Sequence, residues 1–458
     1  MSVIPLEPDE GQAAAVLAAA SAFVTDFVSS LHTAPTAQAP AGQREFTAAP
    51  PEAPGDLGAL LRTFRLAADR ATETAGPGCF AYFPGGGLFS SAVAELLART
   101  VNRYTGAGSM AVDLVAMEHS VIRWLGREFG LPDTASGVLT TGASTGTLSV
   151  IVAARHELLD DRPADGCVYV TEDTHHCVAK SARIAGFTAA DIRLVPLTAD
   201  RRMDPVAADE MVAADRAAGR RPFLLVGTAG TTSTGAVDPL AELADVARRQ
   251  GLWFHVDAAY GGGFQLTERG RARLAGIERA DSITVDAHKS LFLPSTTGVL
   301  LVRDPRPLRE AHVADADYLQ DLHLDESLPN YADLGVELSR EYRGLRLWLP
   351  LHLHGVGAFR AALDEKLDLS ELVAAELAAI PGVEVVPSDL TVHLFRVPGG
   401  DEVNRELLAT INDSGRVALT STRIDGRNTL RMCVLNHRTH REHVELALKI
   451  IRDAVASL

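Results

Sequence analysis

Between residues 137 and 305, short apolar runs rich in β-branched residues alternate with amphipathic stretches. The runs GVLTTG, CVYVTED, IRLVPL, FLLVGTAGTT, WFHVDAAYGG, SITVDAHK and TGVLLVRD read as strands, with helices predicted over 146–159, 175–186 and 238–250. Strands and helices at this spacing imply parallel βαβ units in a largely buried sheet. In such sheets ligands sit beyond the carboxyl ends of the strands. That rule draws together GASTGT, EDTHH, TAGTT, DAAYGG and DAHKS, each of which directly follows an apolar run.

The flanks read differently. A helix is predicted over 8–32 through Val16, Leu17, Ala20, Phe23, Phe27 and Val28, followed by a stretch rich in Pro, Ala and Gly over 33–57 that reads as a linker or wrapping arm. Further helices are predicted at 88–103 and 111–129. After a polar segment near 306–342, LRLWLPLHLHGVGAFRAALDEKL reads as one long helix. The segments EVVPS, TVHLFRV, RVALTST and NTLRMCVLNH then alternate with helices at 366–380, 401–414 and 439–456, the pattern of a smaller α+β domain.

Composition narrows the class of partner. The 458 residues, 47% hydrophobic and 22% charged, describe a globular chain with a sizeable core. A net charge of −16 argues against nucleic acid or an anionic membrane surface as partner, and no apolar run is expected to span a bilayer. The acidic N-terminus lacks the basic start of a signal peptide, and Cys79, Cys167, Cys177 and Cys433 are scattered without a CxxC. A reducing cytoplasm is the expected compartment. Of 43 basic residues only Lys180, Lys289, Lys366 and Lys449 are lysines, so each is worth inspecting.

Lys289 lies in Asp286-Ala287-His288-Lys289-Ser290 at the mouth of a strand, where a desolvated amine can condense with a carbonyl group; read alone, the motif fits an ordinary loop lysine equally well. About thirty residues upstream Asp257 ends another strand, and a buried carboxylate needs a partner such as a pyridinium nitrogen. Gly142-Ala143-Ser144-Thr145-Gly146-Thr147 joins strand to helix with small residues, a turn that lets backbone N–H groups approach a phosphate. Thr228-Ala229-Gly230-Thr231-Thr232 offers hydroxyls by the same geometry. A phosphate cradle, a strand-end Asp and a strand-end Lys together answer the needs of pyridoxal phosphate. His175 can stack on a cofactor ring, His176 reads as a loop residue, and no metal-ligand spacing is present.

These residues make the chain resemble the group II pyridoxal-phosphate-dependent amino-acid decarboxylases over about residues 55–458. The resemblance implies the α/β fold of type I pyridoxal-phosphate enzymes. Its parts are an N-terminal helical arm (1–88), a large domain with a mostly parallel seven-stranded sheet (89–349) and a smaller α+β domain (350–458). It implies pyridoxal 5'-phosphate at Ala143, Ser144, Thr231, Asp257, Ala259, Asp286, His288 and Lys289, with His175 stacked on the ring. It also implies a substrate pocket at Tyr82, Phe83, Pro84 and Tyr104, and a homodimer with sites at the interface. Tyr331, twelve residues before Arg343, matches the family's mobile-loop tyrosine, a proton donor after loss of carbon dioxide.

Departures from the family pattern bear on the pocket. Ser290 stands where many members have tryptophan and Asp286 where animal enzymes have asparagine, while Gly85-Gly86-Gly87, Gly106 and Gly108 replace larger side chains and imply a roomier pocket. The implied reaction is decarboxylation of an L-amino acid to its amine, with an aromatic or bulky apolar side chain favoured because the pocket segments lack a basic residue. An aldehyde synthase and a non-catalytic homologue are the alternatives; Tyr331 and His175 weigh against the first, and Lys289 with Asp257 and His175 against the second. Arg431 reads as structural.

Overall fold

The computed structural model describes residues 6–36, 49–313 and 328–458, so part of the Pro-rich stretch lies outside the described residues. Helices α1 (Glu10–Ser30) and α2 (Leu57–Asp69) come first and bury no residue. They pair through a Phe23–Phe64 ring stack at 5.5 Å and an Arg65–Asp26 ion pair at 2.6 Å. Contrary to the sequence expectation, α1 is long and apolar enough to cross a membrane, with mean hydropathy 1.6, because its apolarity is spread over alanines rather than concentrated in large residues. Helices α3 (Phe89–Val101) and α4 (Val112–Glu128) lead into the large domain.

The large domain follows the predicted alternation: β1 (Ser136–Thr140), α5 (Ala143–Leu159), β2 (Gly166–Val170), α6 (Cys177–Ile184), β3 (Ile192–Leu194), α7 (Pro205–Ala217), β4 (Arg221–Thr228) and α8 (Leu240–Gln250). It continues through β5 (Trp253–Asp257), α9 (Glu268–Arg273), β6 (Ser282–Asp286), α10 (Ala287–Ser290), β7 (Gly298–Val302) and α11 (Arg306–Glu310). The order β1-β7-β6-β5-β4-β2-β3 is parallel except at β7, which runs antiparallel to both neighbours. Strands β2, β5, β6 and β7 are buried along their whole length, which is why their sequences read as largely apolar runs, with His255, Ser282 and Thr284 as buried polar exceptions. Helix α7 has no counterpart in the sequence reading, although Asp204 caps Val206 and Ala207 N–H and Pro205 opens the helix.

The predicted long helix is two, α12 (Gly344–His354) and α13 (Val356–Ala378), separated by Gly355 at φ +74°, so a boundary at 349/350 falls inside α12. The small domain adds β8 (Glu384–Val386), β9 (Val392–Arg396), α14 (Asp401–Asp413), β10 (Thr420–Ile424), β11 (Arg427–Cys433) and α15 (Arg441–Ala456), with an antiparallel sheet ordered β10-β11-β9-β8. Residues 78–81, expected in the N-terminal arm, belong with this domain. Phe80 N–H donates to Ala418, Cys433 N–H donates to Phe80, and the Phe80 ring sits in a core with Leu369, Val373, Leu430 and Met432. Burial of a whole aromatic ring outweighs sequence proximity to the arm.

Candidate active site

The carboxyl ends of β1, β4, β5 and β6 open onto a cavity of about 380 Å³. The β1–α5 turn supplies Gly142, Ala143, Ser144 and Thr145, with Thr141 and Thr145 hydroxyls 2.8 Å apart. Helix α5 starts at this turn and runs seventeen residues, so its free N–H groups and dipole favour an anion there. A Cβ on Gly298 would sit 2.6 Å from Gly142 Cα, so β7 needs glycine for the turn to lie against it.

Lys289 closes the same cavity from α10. Its Nζ lies 2.9 Å from Asp286 Oδ2, and Asp286 Oδ1 accepts the Ala143 N–H at 2.6 Å, so one carboxylate joins the lysine to the cradle. Nζ also lies 5.3 Å from the Phe83 ring. His288 lines the cavity with Nδ1 facing the Thr297 carbonyl at 3.1 Å; a carbonyl only accepts, so Nδ1 carries the proton. At the end of β5, Asp257 is 4% exposed and accepts the Ala259 N–H at 3.0 Å. His175 faces the same space from the β2–α6 loop. Its Nδ1 accepts the Cys177 N–H at 3.2 Å, which leaves Nε2 to bear the ring proton, and burial holds its pKa below the ordinary value although Asp257 opposes this. Burial also pushes the Cys177 thiol up to about 12, which keeps it inert.

Eight sequence candidates therefore converge: Ala143, Ser144, His175, Asp257, Ala259, Asp286, His288 and Lys289. Thr231 does not line the cavity. Its hydroxyl turns to Thr234 at 2.6 Å, and Thr228, Gly230 and Thr232 face the cavity instead, a one-residue difference that only the turn geometry sets. Sequence reasoning also missed Ser295 and Thr296, which the α10–β7 loop brings in and which follow no strand end.

Of the expected substrate residues, Phe83 alone comes near the chemistry, stacked on Tyr260 at 4.2 Å and under Arg431 at 4.5 Å. Tyr82 is 70% exposed, Pro84 is buried, and Tyr104 bonds the Leu338 carbonyl; none of the three lines the cavity. Tyr331 lies outside it as well. Its ring is 1% exposed, the Arg340 guanidinium lies 4.6 Å from the ring centroid, and its buried hydroxyl has no hydrogen-bond partner among the described residues. Arg340 is itself held by the buried Glu118 at 2.6 Å, and burial, with Glu118 adding to it, drives the phenol pKa up.

Three of the five glycines do not enlarge the pocket, whereas a Cβ on Gly87 would meet nothing nearer than Pro294 Cα at 4.0 Å. A Cβ on Gly85 would collide with the His288 carbonyl, one on Gly86 with Asn436, and one on Gly106 with the Tyr104 hydroxyl, so each is filled by a neighbour. Ser290 behaves similarly: its Oγ accepts the Gly263 N–H at 3.0 Å, and the turn Gly261–Leu266 takes the space of a larger side chain.

The donor set suits pyridoxal phosphate: an anion site at a helix start, an amine, a strand-end carboxylate, and a buried Thr228 hydroxyl at the cavity with no partner among the described residues. Comparison with known proteins agrees. The pyridoxal-dependent decarboxylase conserved domain matches residues 40–396. An aromatic-L-amino-acid decarboxylase of Bacillus atrophaeus is 33% identical, over 83% of this chain and 82% of that protein. A phenylacetaldehyde synthase of Arabidopsis thaliana is 30% identical, over 84% and 83%. The crystal structure of Oryza sativa TDC with PLP and tryptamine superposes with a TM-score of 0.93 at 29% identity, covering 100% of this chain and 99% of that one.

Proposed function

The chain belongs to the pyridoxal-dependent decarboxylase family, and from that premise we propose that its cavity removes the α-carboxylate of an aromatic L-amino acid, releasing the amine and carbon dioxide. The observation that carries this reading is the convergence of Lys289, Asp286, Asp257, His175 and the α5 N-terminus on one cavity. When bound, pyridoxal phosphate supplies the sink for the electron pair left on Cα as carbon dioxide departs. Ser144 and Thr145 would hold the phosphate at the α5 start, where Thr232 also offers a hydroxyl to the cavity. Lys289 is the amine that would hold the cofactor's carbonyl carbon, since it alone among the lysines lines the described cavity. Asp257 would hold the proton at the ring nitrogen of the bound cofactor, Ala259 and His175 would flank that ring from the cavity wall, and the Nε2–H of His175 would be available to orient the carboxylate.

The Phe83–Tyr260 ring pair beside Lys289 supports an aromatic substrate. We infer a homodimer with its cavities at the interface; Tyr331, packed on Arg340 inside its own subunit, would have to leave that seat to return the proton to Cα. The apolar residues exposed on α3 and α4, among them Phe89, Leu96, Leu97, Val101 and Val112, support such a homodimer. Four buried free cysteines support a reducing cytoplasm as its compartment.

The test is to incubate the cofactor-loaded protein aerobically with L-tryptophan, L-tyrosine and L-phenylalanine and identify products by mass spectrometry. An amine lighter than one substrate by carbon dioxide is expected. An aldehyde with ammonia and peroxide would reassign the last step and remove Tyr331 as proton donor. No product, with no borohydride-trapped cofactor on Lys289, would leave a non-catalytic homologue.

A further inference from the structure

The loop that delivers His175 is short and polar, and one of its residues, Asp173, is held by an arginine 28 positions away in sequence. Thr171 and Thr174 close a turn at the end of β2: Thr171 N–H donates to Thr174 Oγ1 at 2.9 Å and Thr174 N–H to the Thr171 carbonyl at 3.2 Å. Glu172 and Asp173 are the central residues of that turn, and His175 follows it directly. Arg201 grips Asp173 as a fork, Nε to Oδ2 and Nη2 to Oδ1, both at 2.9 Å, and Nη2 also reaches Glu172 at 3.2 Å. The Asp173 side chain is 9% exposed and that of Arg201 15%, so this pair is shielded from water. A planar fork on a carboxylate fixes orientation as well as distance.

Arg201 is itself held in a particular backbone state. It occupies φ +59° in a tight hairpin between Leu197 and Met203, where its N–H donates to the Thr198 carbonyl at 2.9 Å. Glycine takes that conformation without strain, so the backbone gives no reason for an arginine there; its contacts are made by the side chain. A third arm, Nη1 to Asp425 at 2.8 Å, reaches the β10–β11 turn of the small domain, but Asp425 is 75% exposed and water competes for that contact.

We propose that Arg201 is a positioning residue for the decarboxylation: through Asp173 it fixes the Thr171–Thr174 turn and thereby the seat of the His175 ring over the cofactor. The proposal rests on the reading of His175 given above. Arg201 does not line the cavity, so its effect on the reaction passes through the turn that carries His175. The Asp425 arm is dispensable to it.

The experiment is a double-mutant cycle on the holoenzyme with Arg201→Gly, His175→Gln and the pair, read by kcat, KM and the visible circular dichroism of the bound cofactor. Glycine suits the φ of residue 201, so folding is preserved, and a melting curve verifies this. Arg201→Gly is expected to lower kcat about tenfold with KM little changed and to alter the visible dichroism, within the cost of a misplacement under 1 Å. Asp173→Asn should reproduce it and Asp425→Asn should not. In the His175→Gln background Arg201→Gly should cost nothing further. Equal losses in both backgrounds, or an unchanged kcat and dichroism in Arg201→Gly, would overturn the proposal while leaving the role of His175 intact. A silent His175→Gln would overturn that role first and the proposal with it.

Discussion

Lys289 and Lys366 are both taken largely out of solvent beside a carboxylate, while Lys180 and Lys449 are exposed. Lys289 keeps 21% of its side chain exposed in an open cavity, 2.9 Å from Asp286, with threonine and serine hydroxyls around it. Lys366 on α13 is fully buried, bonded to Glu365 at 2.9 Å and to the Thr439 carbonyl, and lines none of the cavities among the described residues. Thr439 in turn donates to the Pro77 carbonyl at 2.7 Å, so Lys366 anchors the loop that clamps residues 75–87. Both amines are held by carboxylates. What separates chemistry from architecture is whether space for a ligand remains beside the amine.

The comparison breaks most sharply at Lys289. Lys289→Ala should lower kcat/KM by about three orders of magnitude or more and abolish borohydride trapping of the cofactor, with the melting temperature nearly unchanged. Trapping that survived on Lys366 would reverse the assignment. Lys366→Met should do the opposite. It strands the Thr439 carbonyl and costs about 1–3 kcal/mol in denaturant unfolding, with kcat per folded molecule preserved.

The pH dependence sharpens the contrast. Burial holds the Lys366 pKa below the ordinary lysine value, with Glu365 opposing. In the window between its folded value and the unfolded one the unfolded chain binds more protons, so stability rises with pH. The stability of the wild type relative to Lys366→Met should therefore increase as pH is raised toward the ordinary lysine value, and a flat difference would contradict the burial argument. The smallest expected effect separates two neighbouring threonines. Thr232→Val should weaken cofactor affinity about fivefold, the worth of one hydrogen bond, whereas Thr231→Val should lower stability by about 1 kcal/mol with affinity unchanged, measured by fluorescence titration and by melting.

Much of the site was legible because it obeys local rules. Strands β5 and β6 are buried along their whole length and β1 over all but its first residue, so their sequences are largely apolar, and their ends are marked by Asp257, Asp286 and the cradle after β1. Since parallel strands share one carboxyl edge, the fold then had to bring those residues together. Thr231 and Thr232 were not separable by that logic, because both follow the same strand and only the direction of the turn decides which hydroxyl faces outward. The glycines misled for a related reason. A missing side chain in the sequence reads as space, yet at Gly85 and Gly106 the space is taken by backbone from His288 or by the Tyr104 ring.

By itself, then, the sequence determined the alternation of elements, the edge at which chemistry gathers, and the identities of lysine, aspartate and histidine, since all of these follow from periodicity and burial along one chain. Tertiary structure alone decided that Phe80 joins the small domain, that Tyr331 packs on Arg340 away from its own cavity, and that Arg201 grips the turn before His175. Those outcomes depend on contacts between residues distant in sequence, where packing volume and electrostatic pairing choose the partner and no local pattern records the choice.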